Sequence, residues 1–221
     1  LYWDVGLSDR CGLFPGVLDW VIATIEIVKN DQNCHLYIKP HPAEFFGSSG
    51  SAKGVSQFIK EKYPYGLSNV SIIDPELKIN TYQLFPLIDV GVIFTGTLGL
   101  EMMRAGIPVI STGETSHKGL NLAAEPTTLS EYSAFLLGEI EFQNVSKDLL
   151  ELFSYFYFIR ALIPWRLTKQ VYDDDFDGFA IRSLDDLELG RDPLLDYLCN
   201  CILDPENTMP GAWPLIVNLR E

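Results

Sequence analysis

Between Asp89 and Ser111 the chain reads DVGVIFTGTLGLEMMRAGIPVIS, and this stretch restricts the possible folds more than any other. Its two Val/Ile runs, Asp89 to Phe94 and Ile107 to Ser111, show no polar alternation. Runs of that kind belong to strands covered on both faces, as in a parallel sheet. The segment Leu98 to Ala105 between them is helical in pattern, so the order is strand, helix, strand. Repetition of that order along the chain is the mark of an α/β domain with a doubly wound parallel sheet.

The pattern does repeat. Gly16 to Lys29 places Leu18, Ile22, Ile25 and Val28 close to one helical face, and His35 to Lys39 is a short strand stopped by Pro40 and Pro42. Val55 to Lys62 reads as a helix, Val70 to Ile73 as a β-branched strand, and Tyr82 to Ile88 as a short helix. After Leu129 the character turns helical, with helices expected over Ser130 to Glu139, Ser146 to about Arg160, and Asp185 to Cys201. We therefore expect residues 1–140 to form a Rossmann-like domain and residues 141–221 a helical extension and tail. The opening Leu1-Tyr2-Trp3-Asp4-Val5 reads like the end of a strand already under way, which suggests a fragment.

Composition narrows the function. Of 221 residues, 47% are hydrophobic, as a packed core requires, and disorder is excluded. The 16 Lys and Arg face 30 Asp and Glu, a formal charge of −14. A chain so acidic lacks the basic face that neutralises phosphates, so no nucleic acid is expected as a partner. The four cysteines are too few and scattered for a disulfide framework, and Cys199-x-Cys201 lacks the spacer of a zinc site; buried or idle thiols are expected. In Tyr172 to Gly178 the acidic residues are consecutive rather than alternating, and Leu184 stands where a calcium loop needs Glu. No metal is expected.

Two segments carry chemistry. Lys39-Pro40-His41-Pro42 follows a strand, and ligands in open parallel sheets sit beyond the carboxyl ends of the strands. An imidazole fixed between prolines can donate to a phosphate oxygen; it can equally cap a tight turn. Thr95-Gly96-Thr97 joins a strand to a helix, where small and hydroxyl residues let an anion approach the backbone amides. Thr95 or Thr97 can also serve simply as a helix cap. Glu101, a turn further in, suits a ribose diol, or it can pair with Arg104. The segment is neither a Walker A loop nor a G-x-G-x-x-G fingerprint. Asp4 follows the apparent first strand and reads as a nucleophile or base, or else as an N-cap or loop residue. His35 reads as structural. His117, in a polar loop, suits either donor contact or solvent exposure.

Taken together, YIKPHPAE (Tyr37 to Glu44), DVGVIFTGTLGLEMMRAGIPVIS and GETSHKGLNLAAEPTTLSEY (Gly113 to Tyr132) resemble the capsule polysaccharide biosynthesis family. That family is similar to the Kdo-transferase-like and sialyltransferase-like enzymes of the GT-B fold. SYFYFIRALIP (Ser154 to Pro164) is similar to an aromatic helix that follows the same domain there. The resemblance covers about Tyr2 to Pro164 and implies the C-terminal, nucleotide-binding half of a two-domain glycosyltransferase, the N-terminal acceptor-binding half being absent. It implies phosphate contacts for His41, Thr95, Gly96 and Thr97 and a ribose contact for Glu101. Lys39 and Arg104 are candidates to stabilise the leaving phosphate. Thr115-Ser116-His117 departs from a THY-like triplet of related chains, which puts the donor contacts of that loop in doubt.

What the resemblance implies is transfer of a sugar from a nucleotide donor, a CMP-linked Kdo-like acid sugar, to a growing glycan or glycolipid. No cofactor is called for, since the nucleotide sugar is a substrate. It further implies a cytoplasmic location at the inner face of the membrane, with peripheral association with export machinery. Two alternatives stay open: a sugar-nucleotide epimerase of similar architecture, and a non-catalytic nucleotide-binding module.

Overall fold

The computed structural model describes residues 12–40, 54–74, 77, 79–157 and 183–191, together with Asp196, Cys199, Asn200 and Leu203. Asp4, His41, Cys11, Cys201, the opening strand-like run and the acidic stretch lie outside the described residues. The chain divides into two compact units, Leu1–Leu150 and Glu151–Glu221.

In the first unit the expected alternation is present. Helix α1 (Val17–Val28) has Asp19 in its first turn, where the helix dipole favours an anion. It buries Val17, Val21, Thr24, Ile25 and Val28. This face is the expected one in part: Leu18 and Ile22 are only half-buried, because the stripe begins one residue earlier, at Val17. Strand β1 (Leu36–Ile38) pairs in parallel with β2 (Val70–Ile72), setting Leu36 opposite Val70 and Ile38 opposite Ile72. Helix α2 (Val55–Lys62) lies between them in sequence and buries Val55 and Ile59.

The second strand–helix–strand unit comprises β3 (Gly91–Ile93), α3 (Leu98–Arg104) and β4 (Val109–Ser111). Gly91 stands opposite Val109 and Ile93 opposite Ser111, again in parallel. Ala124 extends this sheet by a single parallel bridge to Ile110, with two backbone hydrogen bonds of 2.8 Å. The described residues thus form two parallel two-stranded sheets in an α/β arrangement. Both contribute to one core, in which Phe14, Val21, Ile25, Ile59, Phe94, Ile110 and Tyr132 are buried against Leu36, Ile72 and Val92. Burial of side chains of this size, each contributing roughly 1.5–3 kcal/mol, holds the helices on the sheets.

Three expected elements change. The short helix expected over Tyr82 to Ile88 is present one residue earlier, at Thr81–Leu87, and is of the 3₁₀ kind. Pro86 sits inside it and cannot donate to the carbonyl four residues back, while Asn80 Oδ1 accepts from the Tyr82 amide at its start. Helix α4 (Leu129–Leu136) starts earlier than expected, because Thr128 accepts from the Glu131 amide and the Glu131 carboxylate accepts from the Thr127 amide. The helix expected over Asp185 to Cys201 is interrupted: Leu184–Leu187 is a 3₁₀ turn, and Gly190 follows at φ +87°.

The division between units falls within α5 (Lys147–Tyr157), whose first turn is held by Ser146 Oγ accepting from the Leu149 amide. In the second unit Phe153 is buried and its ring meets Phe156 and Tyr157 at 6.3 and 6.2 Å. Among the described residues no helix is long and apolar enough to cross a membrane.

Candidate functional site

The carboxyl ends of β3 and β4 each carry a loop, and the loop after β4 is tied to the end of β3 and reaches the first turn of α3. From β3 the chain passes through buried Phe94 into Thr95, Gly96 and Thr97 and then into α3. Gly96 has φ +105°, a conformation that costs a residue with a Cβ and that glycine adopts freely. Gly96 and Thr97 are exposed and Thr95 is half-buried. Thr97 occupies the N-cap position in an αR conformation, and its side chain does not cap the helix. Its hydroxyl instead donates to Glu101 Oε1 at 3.4 Å, while its carbonyl accepts from the Leu100 and Glu101 amides.

The second oxygen of Glu101 is also held. Tyr82, from the 3₁₀ segment ahead of β3, donates its hydroxyl to Glu101 Oε2 at 2.7 Å. That hydrogen bond, with the like charge it would face on ionising, raises the Tyr82 phenol above its ordinary value. Glu101 therefore has both oxygens oriented by hydroxyl donors, and each oxygen retains acceptor capacity for a further donor.

The loop after β4 is fastened to the end of β3. The Thr112 amide and hydroxyl both donate to the Ile93 carbonyl at 3.1 Å, and the Thr112 carbonyl accepts from the Leu13 amide at 2.9 Å. Ile110 belongs to the α1 side of the sheet, so alternation turns Val109 and Ser111 to the side covered by α3. There Gly99 lies against β3 so closely that a Cβ added to it would stand 2.4 Å from Ile93 Cδ1 and 3.6 Å from His117 Cε1. His117 is thus packed beside the first turn of α3. It is 1% exposed, which overturns the solvent-exposed reading of its loop, and burial lowers its pKa below the ordinary 6.5. Ser111 Oγ and Thr115 Oγ1 are buried there and make no hydrogen bond to the described residues. Beyond them Lys118 pairs with Glu114, and the Gly119 amide donates to both oxygens of Glu125.

Of the residues singled out in the sequence, Thr95, Gly96, Thr97 and Glu101 come together at this edge. Lys39, half-buried, follows β1 in the other sheet. Arg104 is exposed in the last turn of α3, and the Glu101 carboxylate is oriented by Tyr82 and Thr97. Capping by the Thr97 side chain is ruled out by its geometry. Cys34 is a half-buried free thiol, raised by burial and by neighbouring Asp31, whereas Cys199 is exposed rather than buried. Among the described residues no group of three or more His, Cys, Asp or Glu could hold a metal ion. Tyr82 is the participant that sequence reasoning missed. It stands nineteen positions before Glu101, and no periodicity or motif links the two.

Chemically, this edge offers an exposed, glycine-hinged loop with two hydroxyls and an oriented carboxylate acceptor one turn away. Such a set suits a ligand with an anion at one end and a diol at the other. Comparison of the chain with protein-family models, with curated proteins and with solved structures finds no match.

Proposed function

We propose that this chain is the donor-nucleotide-binding part of a glycosyltransferase that builds a capsule or related surface polysaccharide. In this reading the two parallel pairs belong to one doubly wound, Rossmann-like sheet, the C-terminal half of a GT-B fold. The observation that carries the proposal is the junction after β3: an exposed Thr-Gly-Thr turn leading into a helix whose Glu101 is held at both oxygens. Thr95, Gly96 and Thr97 take a phosphate, and Glu101 accepts from the ribose hydroxyls. His41 and Lys39 supply positive charge to the leaving phosphate, and Asp4 acts as nucleophile or base. The donor is a nucleotide sugar, CMP-linked and Kdo-like, and the acceptor a glycan or glycolipid at the inner face of the membrane.

Hydrogen bonds and dipoles aimed at a departing phosphate lower the barrier because they are already oriented when charge develops there. Isothermal titration calorimetry of the chain with CMP and with UDP tests the proposal. One of them binds, and His41→Ala weakens it at least about tenfold, the loss expected for a charge-assisted hydrogen bond. Equal affinity in His41→Ala removes the phosphate assignment of that histidine, and failure of both nucleotides to bind removes the donor-binding function.

A further inference from the structure

We propose that Tyr82 is a positioning residue that fixes the Glu101 carboxylate for recognition of a vicinal diol, and so makes the site selective for ribonucleotides over their deoxy counterparts. The inference rests on the donor-nucleotide reading above and adds to it a residue from a separate element. Glu101 is half-buried on α3, and a glutamate side chain in such a place has rotamer freedom to lose when it binds. Here that freedom is already restricted. Tyr82 donates to Oε2 at 2.7 Å, and Thr97 donates to Oε1 at 3.4 Å, so the two hydroxyls hold the carboxylate from opposite ends. The shorter of the two contacts is the stronger, which assigns most of the orientation to Tyr82.

Tyr82 is itself held. Its amide donates to Asn80 Oδ1 at 3.0 Å, and its ring meets the Phe85 ring edge-on with centroids 5.4 Å apart. The Tyr82 side chain is nevertheless 56% exposed, so its position is not required by the core. An oriented carboxylate can accept from two adjacent hydroxyls at once, one at each oxygen. A 2′-deoxyribose presents only one, and the second oxygen then goes without a ligand donor. Loss of the Tyr82 hydroxyl frees the carboxylate to rotate, and the advantage of the diol is lost with it.

Calorimetric titration of the wild-type chain, Tyr82→Phe, Glu101→Gln and the double variant with CMP and 2′-deoxy-CMP, and with UDP and 2′-deoxy-UDP, tests this. The expected result is that the wild type prefers the ribonucleotide about tenfold and that Tyr82→Phe weakens it about fivefold, with the deoxynucleotide changed by less than about twofold. The double variant should bind no worse than Glu101→Gln, since Tyr82 acts through the glutamate. If the wild type binds a nucleotide but Tyr82→Phe binds it equally well, or loses both sugars equally, the positioning role is wrong and donor binding stands. If the wild type binds none of the four, the donor reading fails and this inference falls with it.

Discussion

Asn69 makes the most of a single amide group. Its Nδ2 donates toward the carbonyls of Val28 and Asp31 at 2.8 Å and of Cys34 at 3.1 Å, tying the end of α1 to the turn that leads into β1. Carbonyls only accept, so a carboxylate in that place would repel all three. Asn69→Ala should cost about 1–3 kcal/mol, and Asn69→Asp more than that, in urea denaturation. Tyr132 is a second such residue. Thr24 Oγ1 donates to the Trp20 carbonyl at 2.7 Å and must therefore accept from Tyr132 at 2.6 Å, while Trp20 Nε1 donates to the Tyr132 oxygen at 3.0 Å. Burial pushes the Tyr132 phenol up to about 12 from 10.0, against the effect of the Trp20 N–H, which as a donor favours the phenolate. A raised phenol stabilises the fold fully below pH 10 and loses that contribution as pH climbs to 12, a loss of roughly 2–3 kcal/mol. Tyr132→Phe should flatten that alkaline decline. His117 behaves in the opposite sense. Its pKa is lowered from 6.5 by burial, so stability holds above pH 6.5 and falls as the pH drops below it. Urea midpoints measured from pH 7 down to about 5 should fall less steeply in His117→Gln than in the wild type, since carboxylates titrate lower still.

At the scale of elements, the close seat of α3 on β3 depends on Gly99. A Cβ there would meet Ile93 Cδ1 at 2.4 Å, the far end of a flexible side chain. Gly99→Ala should destabilise by about 1–3 kcal/mol through overpacking, and adding Ile93→Val, which removes that methyl, should recover part of the loss. If the double variant is no more stable than Gly99→Ala, the clash lies elsewhere. The same elements show what the sequence discloses. The strands β1 to β4 and helices α2 and α3 were legible because Val/Ile runs and helical spacing report burial directly. The face of α1 is legible in part: Ile25 and Val28 are buried as expected, while Val17 and Val21 take the places of Leu18 and Ile22 because the helix is almost wholly apolar. The 3₁₀ form of Thr81–Leu87 was written in Pro86, and the start of α4 in the Thr128-x-x-Glu131 pair. Of the candidate site, the Thr-Gly-Thr turn and Glu101 were legible as local signals at a strand–helix junction. Tyr82 and the burial of His117 were not, since each depends on a tertiary contact that no local pattern encodes.

Across the first unit as a whole, one core joins both sheets, and Ile110 is its fully buried member on β4. Ile110→Ala should lower stability by roughly 2–5 kcal/mol, and a far smaller loss would mean that β4 does not seat against α1 as described. The proposed function rests on the exposed Thr-Gly-Thr turn and the oriented Glu101 at the carboxyl end of β3, where we propose that an anionic nucleotide binds. Amide NMR spectra of the ¹⁵N-labelled chain with added CMP, and separately with UDP, address that claim directly. One nucleotide should move the resonances of Thr95, Gly96, Thr97 and Glu101, with smaller changes at Gly113 to His117 and none along α1. Spectra that stay unchanged at millimolar nucleotide, or shifts concentrated away from these residues, would contradict the claim.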